Sequence, residues 1–264
     1  MNEHAPRLSL VTLSFNQAAF LPRCLASVAA QLCAEDEQWC VDPGSTDGSR
    51  DVLRAAAATD SRVRLCLEPD AGPADGLNKG FARAGGDVFA FLNADDELAP
   101  GALDFVRAHF MRRTAPPLLL GAVRFIDVAS RARRRKRLST APSPAEIAPG
   151  AARFYQQGFF FQRAVWAEGV RFNVANRTCW DWEFFVDARL AGFSACAVTR
   201  ELGRFREHAA SITGRADNRL AYENDFRRIA EKAAAAVARG ERVSTLRRWY
   251  VKLAPWRRVQ EWLP

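Results

Sequence analysis

The feature that most constrains this chain is a fourfold alternation of hydrophobic period across residues 8–111. Residues 8–13 form a short, almost wholly apolar run, as a strand buried on both faces requires. Residues 17–31 switch to helical spacing, with Phe20, Cys24, Val28 and Gln31 along one face. The pair then repeats. Strand-like 38–41 precedes helical 49–58, 63–67 precedes 74–84, and 87–92 precedes 100–111. Gly85-Gly86 stops the third helix and Pro100 opens the fourth. Such repeats predict an α/β fold, a Rossmann-type, mostly parallel sheet flanked by helices. Ligands of such sheets bind beyond the carboxyl ends of the strands. The polar clusters fall at those ends, at 14–17, 42–48, 68–75 and 93–97, so four loops converge on one edge.

The remainder is less regular. Residues 118–128 read as a strand, and 130–150 as a basic, then Pro/Ala/Ser-rich loop or flap. Residues 154–162 are aromatic and strand-like, 181–191 helical, 193–205 extended and 217–239 a long Ala-rich helix. Residues 245–263 form a basic, aromatic tail broken at Pro255. The expected organisation is one domain over 1–215, in halves at 1–112 and 113–215, with a C-terminal helical extension over 216–264.

The loops carry specific chemistry. At Asn93-Ala94-Asp95-Asp96 two adjacent carboxylates follow a buried strand. Like charges side by side repel and call for a cation. Oxygen ligands suit Mg²⁺ or Mn²⁺, which also bridge phosphate oxygens. Asp42, at the tip of the second strand, can accept from a base N–H or a ribose hydroxyl. Asp47 reads equally as a helix cap. In 68–80 the helix N-terminus and Lys79 both favour phosphate. No GxxxxGK[ST] phosphate loop is present. Nor does a GxGxxG follow the first strand, which speaks against a dinucleotide oxidoreductase.

Taken in order, residues 9–17, 41–49, 68–80 and 86–96 resemble the family 2 glycosyltransferases, whose fold is GT-A. The resemblance is strong over about the first 110 residues and thinner to about residue 213. It implies a nucleoside-diphosphate sugar donor, a UDP-sugar favoured, a divalent metal (Mn²⁺ or Mg²⁺) and an inverting mechanism. It places Thr12, Phe15, Asn16 and Asp42 around the nucleoside, and Asp75, Asn78 and Lys79 along the ribose and diphosphate. Asn93 and Ala94 belong to the metal turn, in which Asn replaces the family's first Asp, leaving Asp95 and Asp96 as ligands. Pro43 stands where many relatives have Asp or Gly.

An inverting transfer needs a base for the acceptor hydroxyl. Thr178-Cys179-Trp180-Asp181-Trp182-Glu183 resembles the family's acidic motif at the start of an acceptor-side helix. Asp181 is the expected base and Glu183 the second choice. The first-turn position helps keep Asp181 ionised. Arg206-Glu207-His208 resembles a segment that closes over the donor, with His208 toward the metal and Arg206 toward the diphosphate. Gln156 and Gln157 border the acceptor in the same resemblance. Trp180 and Trp182 are stacking candidates, with core packing equally open to them, while Phe159-Phe160-Phe161 reads as core.

The formal charge of +8 comes from 38 basic and 30 acidic residues. It concentrates in 131–137 and 247–258, which suits a phosphorylated acceptor, an anionic lipid surface or plain solvation. Trp and Arg interleave in the tail, as at a membrane interface, so peripheral contact through 245–264 is one reading and packing on the domain or a second subunit another. No nucleic-acid recognition module is visible. The six cysteines form no CxxC pair and read as buried small hydrophobes. No run of 18 uncharged apolar residues occurs, and the polar start is too short for a signal peptide, so the expectation is a cytoplasmic protein, peripheral at most at the inner face of the membrane. The expected function is sugar transfer to a glycan or glycolipid acceptor. The rivals are a nucleotidyltransferase and a non-catalytic nucleotide-sugar-binding protein on the same fold.

Overall fold

The computed structural model describes residues 5–138, 140–143, 146, 155–212 and 218–238. Strands β1 (Leu8–Leu13), β2 (Glu37–Val41), β3 (Val63–Cys66) and β4 (Val88–Asn93) alternate with helices α1 (Leu21–Ala29), α2 (Ser49–Thr59), α3 (Pro73–Arg83) and α4 (Ala102–Phe110). A two-residue strand β5 (Glu97–Leu98) separates β4 from α4. Then come β6 (Leu118–Ile126), β7 (Ala132–Lys136), a 3-10 turn (Gln156–Gly158), β8 (Phe159–Gln162) and α5 (Arg163–Ala167). Helix α6 (Trp180–Leu190), β9 (Ala195–Arg206) and α7 (Arg219–Ala238) complete the described chain.

The sheet order is β3-β2-β1-β4-β8-β6-β9-β5, with β7 paired to β6. Strands β1 to β4 are mutually parallel where they pair. Strand β8 runs against both β4 and β6, so β6 is parallel to β4, and β9 is parallel to β6. The carboxyl ends of β1–β4, β6 and β9 therefore share one edge with the start of β8. This is the edge the sequence predicts for the site.

Period-2 alternation sorts the apolar residues between two faces. Phe89, Phe91, Phe159 and Phe161 join Val11, Val41, Leu77 and Phe81 in the larger core, beneath α3, α6 and α7. Ala90, Leu92 and Phe160 face the other way, toward Cys24, Val28, Leu103 and Val106 of α1 and α4. The aromatic run 159–161 is thus core on both faces, as its sequence suggests. Helix α7 adds Phe226, Ile229 and Ala233 to the larger core, and Trp182 meets Phe226 at 5.9 Å between ring centroids. The tail at 245–264 lies outside the described residues.

The basic segment departs from expectation. Instead of a loop, 132–136 forms β7, antiparallel to β6. Strand β6 is long, and β8 covers only its residues 118–120, which leaves 123–126 open to a hairpin partner. The arginines are held as well: Arg134 pairs with Glu207 and lies 4.1 Å from the Phe125 ring centroid. Elements β5 and α5 are too short to leave a period in the sequence. All six cysteines are free, and Cys33 is the exposed one. Among the described residues no helix is long and apolar enough to cross a membrane.

Candidate active site

The loops after β1 and β2 are laced together. Asn16 adopts a left-handed φ of 52°, which Asn tolerates better than most residues. Its N–H donates to Ser45 Oγ and its Oδ1 accepts from the Thr46 N–H. Asp47 accepts from the N–H of Ala18 and from both the N–H and hydroxyl of Ser49. Phe15 is left standing at the rim, 59% exposed. Thr12, expected at the nucleoside, is fully buried and accepts from Gln38 Nε2 at 2.8 Å. It supports the loop from beneath.

Asp42 is buried too. It accepts from the N–H groups of Gly44 and Ser45, the Ser45 hydroxyl and the Arg50 guanidinium. Burial pushes its carboxyl up, but these hydrogen bonds, led by Ser45, outweigh it and hold the group below its ordinary value. Most of its acceptor capacity goes to shaping its own loop.

After β3, Asp75 accepts from the Ala71 N–H and pairs with Lys79 Nζ at 3.0 Å. Lys79 also donates to the Pro69 carbonyl. Asn78 clamps the backbone of Phe172 with both ends of its amide, Nδ2 to the carbonyl and Oδ1 from the N–H. Asn78, placed by the resemblance at the donor, here joins the two halves of the chain.

The β4 turn separates its two carboxylates. The Ala94 N–H donates to the Leu13 carbonyl and the Asp96 N–H to the Asn93 carbonyl, which fixes the turn; Ala94 is buried and Asn93 half-buried. Asp96 points inward. Its Oδ2 accepts from Gln157 at 2.7 Å and Gln156 at 3.3 Å, and its Oδ1 from the Arg206 N–H at 2.9 Å. Burial, then the neighbouring charge of Asp95, push its carboxyl well above the usual range against those bonds. Asp95 points outward, its Oδ2 2.9 Å from His208 Nε2, and the His208 ring packs on Phe20.

Arg206, expected at the diphosphate, is fully buried. Its guanidinium donates to the carbonyls of Asp95, Asp127 and Val128, to Ser130 and to Glu97. Every N–H is used, so it braces the turn from behind. Gln156 and Gln157 likewise support Asp96 instead of lining an acceptor surface. Sequence alone hides this, because residue type does not say which acceptor a side chain finds.

The donor set at this turn fits a divalent cation. One carboxylate oxygen and one imidazole nitrogen converge, which suits Mn²⁺ and leaves positions for phosphate oxygens and water. Asp96 does not fit as a ligand, since both its oxygens are committed. Among the described residues no three His, Cys, Asp or Glu side chains make a complete metal cluster. A cation held here would need the rest of its shell from groups other than these two side chains.

The second acidic turn opens α6. Cys179 occupies its N-cap without a side-chain cap. Instead Asn176 Oδ1 accepts the N–H of Cys179 at 2.8 Å, and Asp225 of α7 accepts the N–H groups of Arg177 and Thr178 and the Thr178 hydroxyl. Nothing in the sequence signals Asp225, 47 positions from Thr178. Glu183 is buried and held by Asn173, Asn176, Arg228 and Lys232 at 2.8–2.9 Å. Burial opposes its ionisation, but Arg228 and then Lys232 overcome that and draw it down to about 2. This removes Glu183 from contention as a base. Asp181 is half-buried with no basic partner in ion-pairing reach among the described residues. Burial pushes its carboxyl up to about 7, against backbone N–H groups of the helix start. Trp180 and Trp182 are buried in the larger core, which rules against a stacking platform. The segment reaches the donor loops directly, because the Arg177 guanidinium donates to the Ala71 carbonyl.

Comparison with known proteins bears on the family and the fold. The family described as Glycosyl transferase family 2 matches residues 9–175. An O-antigen biosynthesis protein of Myxococcus xanthus is 40% identical over 117 residues, 43% of this chain and 9% of that protein. A PGL/p-HBAD biosynthesis glycosyltransferase of Mycobacterium tuberculosis is 39% identical over 95 residues, 36% of this chain and 37% of the relative. The matched stretch spans well under half of either relative. Among solved structures, S. aureus TarS in complex with UDP-GlcNAc superposes with a TM-score of 0.66 at 16% identity, over 88% of this chain and 66% of that one. Mannosyltransferase PcManGT from Pyrobaculum calidifontis, in complex with GDP-Man and Mn²⁺, gives 0.58 at 18%, over 98% and 84%. These likenesses show the fold, which is GT-A.

Proposed function

The chain belongs to glycosyl transferase family 2, and on that premise we propose that it is an inverting, metal-dependent transferase that moves a glycosyl group from a nucleoside-diphosphate sugar to an acceptor hydroxyl. The observation that carries this reading is the division of labour on one sheet edge. Asp95 and His208 converge at the end of β4, while Asp181, raised to about 7, stands without a cation among the described residues at the start of α6.

Asp95 and His208 are the residues that would hold Mn²⁺ or Mg²⁺. The ion's chemistry is to offset the charge that develops on the departing diphosphate. Asp181 takes the proton of the acceptor hydroxyl. The acceptor oxygen attacks the anomeric carbon from the face opposite the diphosphate. The bond to the diphosphate oxygen breaks and the leaving group keeps the electron pair. A base with a pKa near the working pH combines an available deprotonated form with adequate basicity. The exposed Phe15 suits a nucleobase face.

A UDP-sugar is the favoured donor, by analogy with the UDP-GlcNAc complex of TarS; the GDP-Man complex of PcManGT keeps guanosine in the panel. A glycan or glycolipid acceptor accords with relatives described in O-antigen and PGL/p-HBAD biosynthesis. We place the reaction in the cytoplasm, with the tail 245–264 as the segment for peripheral membrane contact. Against a nucleotidyltransferase, the loop after β1 is Ser14-Phe15-Asn16-Gln17 and not a glycine-rich phosphate cradle.

The test is calorimetric binding of UDP- and GDP-sugars with and without Mn²⁺, followed by product analysis. The expected outcome is Mn²⁺-dependent binding of at least one donor and release of free nucleoside diphosphate. Absence of metal-dependent binding for every donor, or release of pyrophosphate, overturns the reading.

A further inference from the structure

The two cations that the resemblance assigns to the diphosphate are engaged elsewhere. Lys79 is paired with Asp75, and Arg206 is buried against Glu97. We propose that Arg177 takes their place and is the basic side chain that meets the donor's diphosphate. This rests on the nucleotide-sugar reading and assigns a residue just beyond the stretch matched to the family, which ends at 175.

Arg177 is exposed, and its Nη1 donates to the Ala71 carbonyl at the threshold of α3. Among the described residues no carboxylate lies within ion-pairing distance of it. A guanidinium carries five N–H donors in a planar fork, and one neutral carbonyl leaves most of them open. The loop beneath is shaped to admit it. Gly72 has a left-handed φ of 126°, and a Cβ there would lie 2.6 Å from Arg177 Nη1. Helix α3 begins at Pro73 without a side-chain cap, so its positive dipole end lies at the same place, beside the first-turn acid Asp75 that Lys79 neutralises.

The backbone under this side chain is fixed. Asp225 Oδ2 accepts the Arg177 N–H at 2.8 Å and the Thr178 N–H at 2.9 Å, and Asp225 is itself buried. Glu183 grips Asn176 on the preceding side. A rigid mount whose cationic head holds only one neutral carbonyl costs little ordering entropy when an anion arrives. Exchanging a neutral carbonyl for phosphate oxygens replaces an ordinary hydrogen bond with a charge-assisted one.

The experiment compares UDP with uridine, each with Mn²⁺, on wild type, Arg177→Ala and Arg177→Lys; GDP and guanosine replace them if the donor panel selects guanosine. Direct titration serves the diphosphate and competition the nucleoside. Arg177→Ala is expected to weaken the diphosphate by about tenfold to a hundredfold and to leave the nucleoside within about twofold. Arg177→Lys recovers part of the loss, since it restores the charge without the fork. An unchanged diphosphate affinity overturns the proposal, and so does an equal loss for diphosphate and nucleoside, which would mean a structural role. If wild type binds neither UDP nor GDP with Mn²⁺, the donor reading falls and the proposal with it. If wild type and Arg177→Ala bind equally well, the proposal alone falls.

Discussion

The β4 turn and the first turn of α6 each carry two acids, one turned inward and one outward, and they solve the problem of the buried charge in opposite ways. At β4 the inward acid, Asp96, meets two neutral amides and a backbone N–H, and its carboxyl is pushed up. At α6 the inward acid, Glu183, meets two cations and is driven down to about 2. The outward acids differ as well. Asp95 faces an imidazole, whereas Asp181 faces no cation among the described residues and rises to about 7. In both turns the inward acid builds the frame, and the outward acid is the one to which the proposed reaction gives a chemical role. Sharing a turn therefore says little about sharing a role.

The comparison breaks most sharply at Asp181. Asp181→Asn is expected to lower kcat by about 10²- to 10⁴-fold, with donor affinity retained. The same change should stabilise the fold at pH 8. With a folded value near 7 and an ordinary value of 3.8, the native state holds a proton that the unfolded chain releases, so stability falls as pH rises from about 4 to about 7. Removing the titration returns about 1–4 kcal/mol at pH 8. A thermal melt showing Asp181→Asn no more stable than wild type at pH 8 contradicts the assignment.

Glu183→Gln probes the other side of the same turn. It leaves Arg228 and Lys232 without their shared carboxylate, at a cost of about 2–4 kcal/mol after allowance for their partial exposure. The sign of the pH effect is opposite to that of Asp181. Glu183 is ionised in the fold down to about 2, against an ordinary value of 4.5, so its contribution is complete above 4.5 and lost as pH falls from there toward 2. Denaturant titrations at pH 7, 4 and 3 should show the gap between wild type and variant narrowing with acid.

The smallest effect is expected away from both turns. Arg134→Ala on β7 removes an exposed ion pair with Glu207 and a contact with Phe125, worth about 0–1 kcal/mol. A larger loss by chemical denaturation would mean that the basic hairpin contributes to the fold as the two acidic turns do.

The parallel half of the sheet was legible because strands buried on both faces read as unbroken apolar runs, separated by helices of clear period. The hairpin β6–β7 was not, since Arg131–Arg137 carries no apolar alternation and its pairing follows from spare length on β6. Local sequence located both acidic turns but not their inner wiring. Arg206 and Asn78 have the residue types of ligand contacts, yet they bind Glu97 and the Phe172 backbone, partners set by tertiary packing. Trp180 and Trp182 look like a sugar platform until α7 closes over them. Asp225 and Arg177 carry no local pattern at all; only the docking of α7 gives them a shared place.

The 3-10 turn that delivers Gln156 and Gln157 to Asp96 rests on bare backbone. A Cβ at Gly203 would lie 2.1 Å from the Gln157 carbonyl oxygen, and one at Gly158 2.7 Å from that of Gly121. Neither obstacle is a side chain that can swing aside. For anyone reshaping this site toward a new ligand, the rear wall is thus a fixed datum, and diversity is better spent on the exposed rim around Phe15 and Arg177.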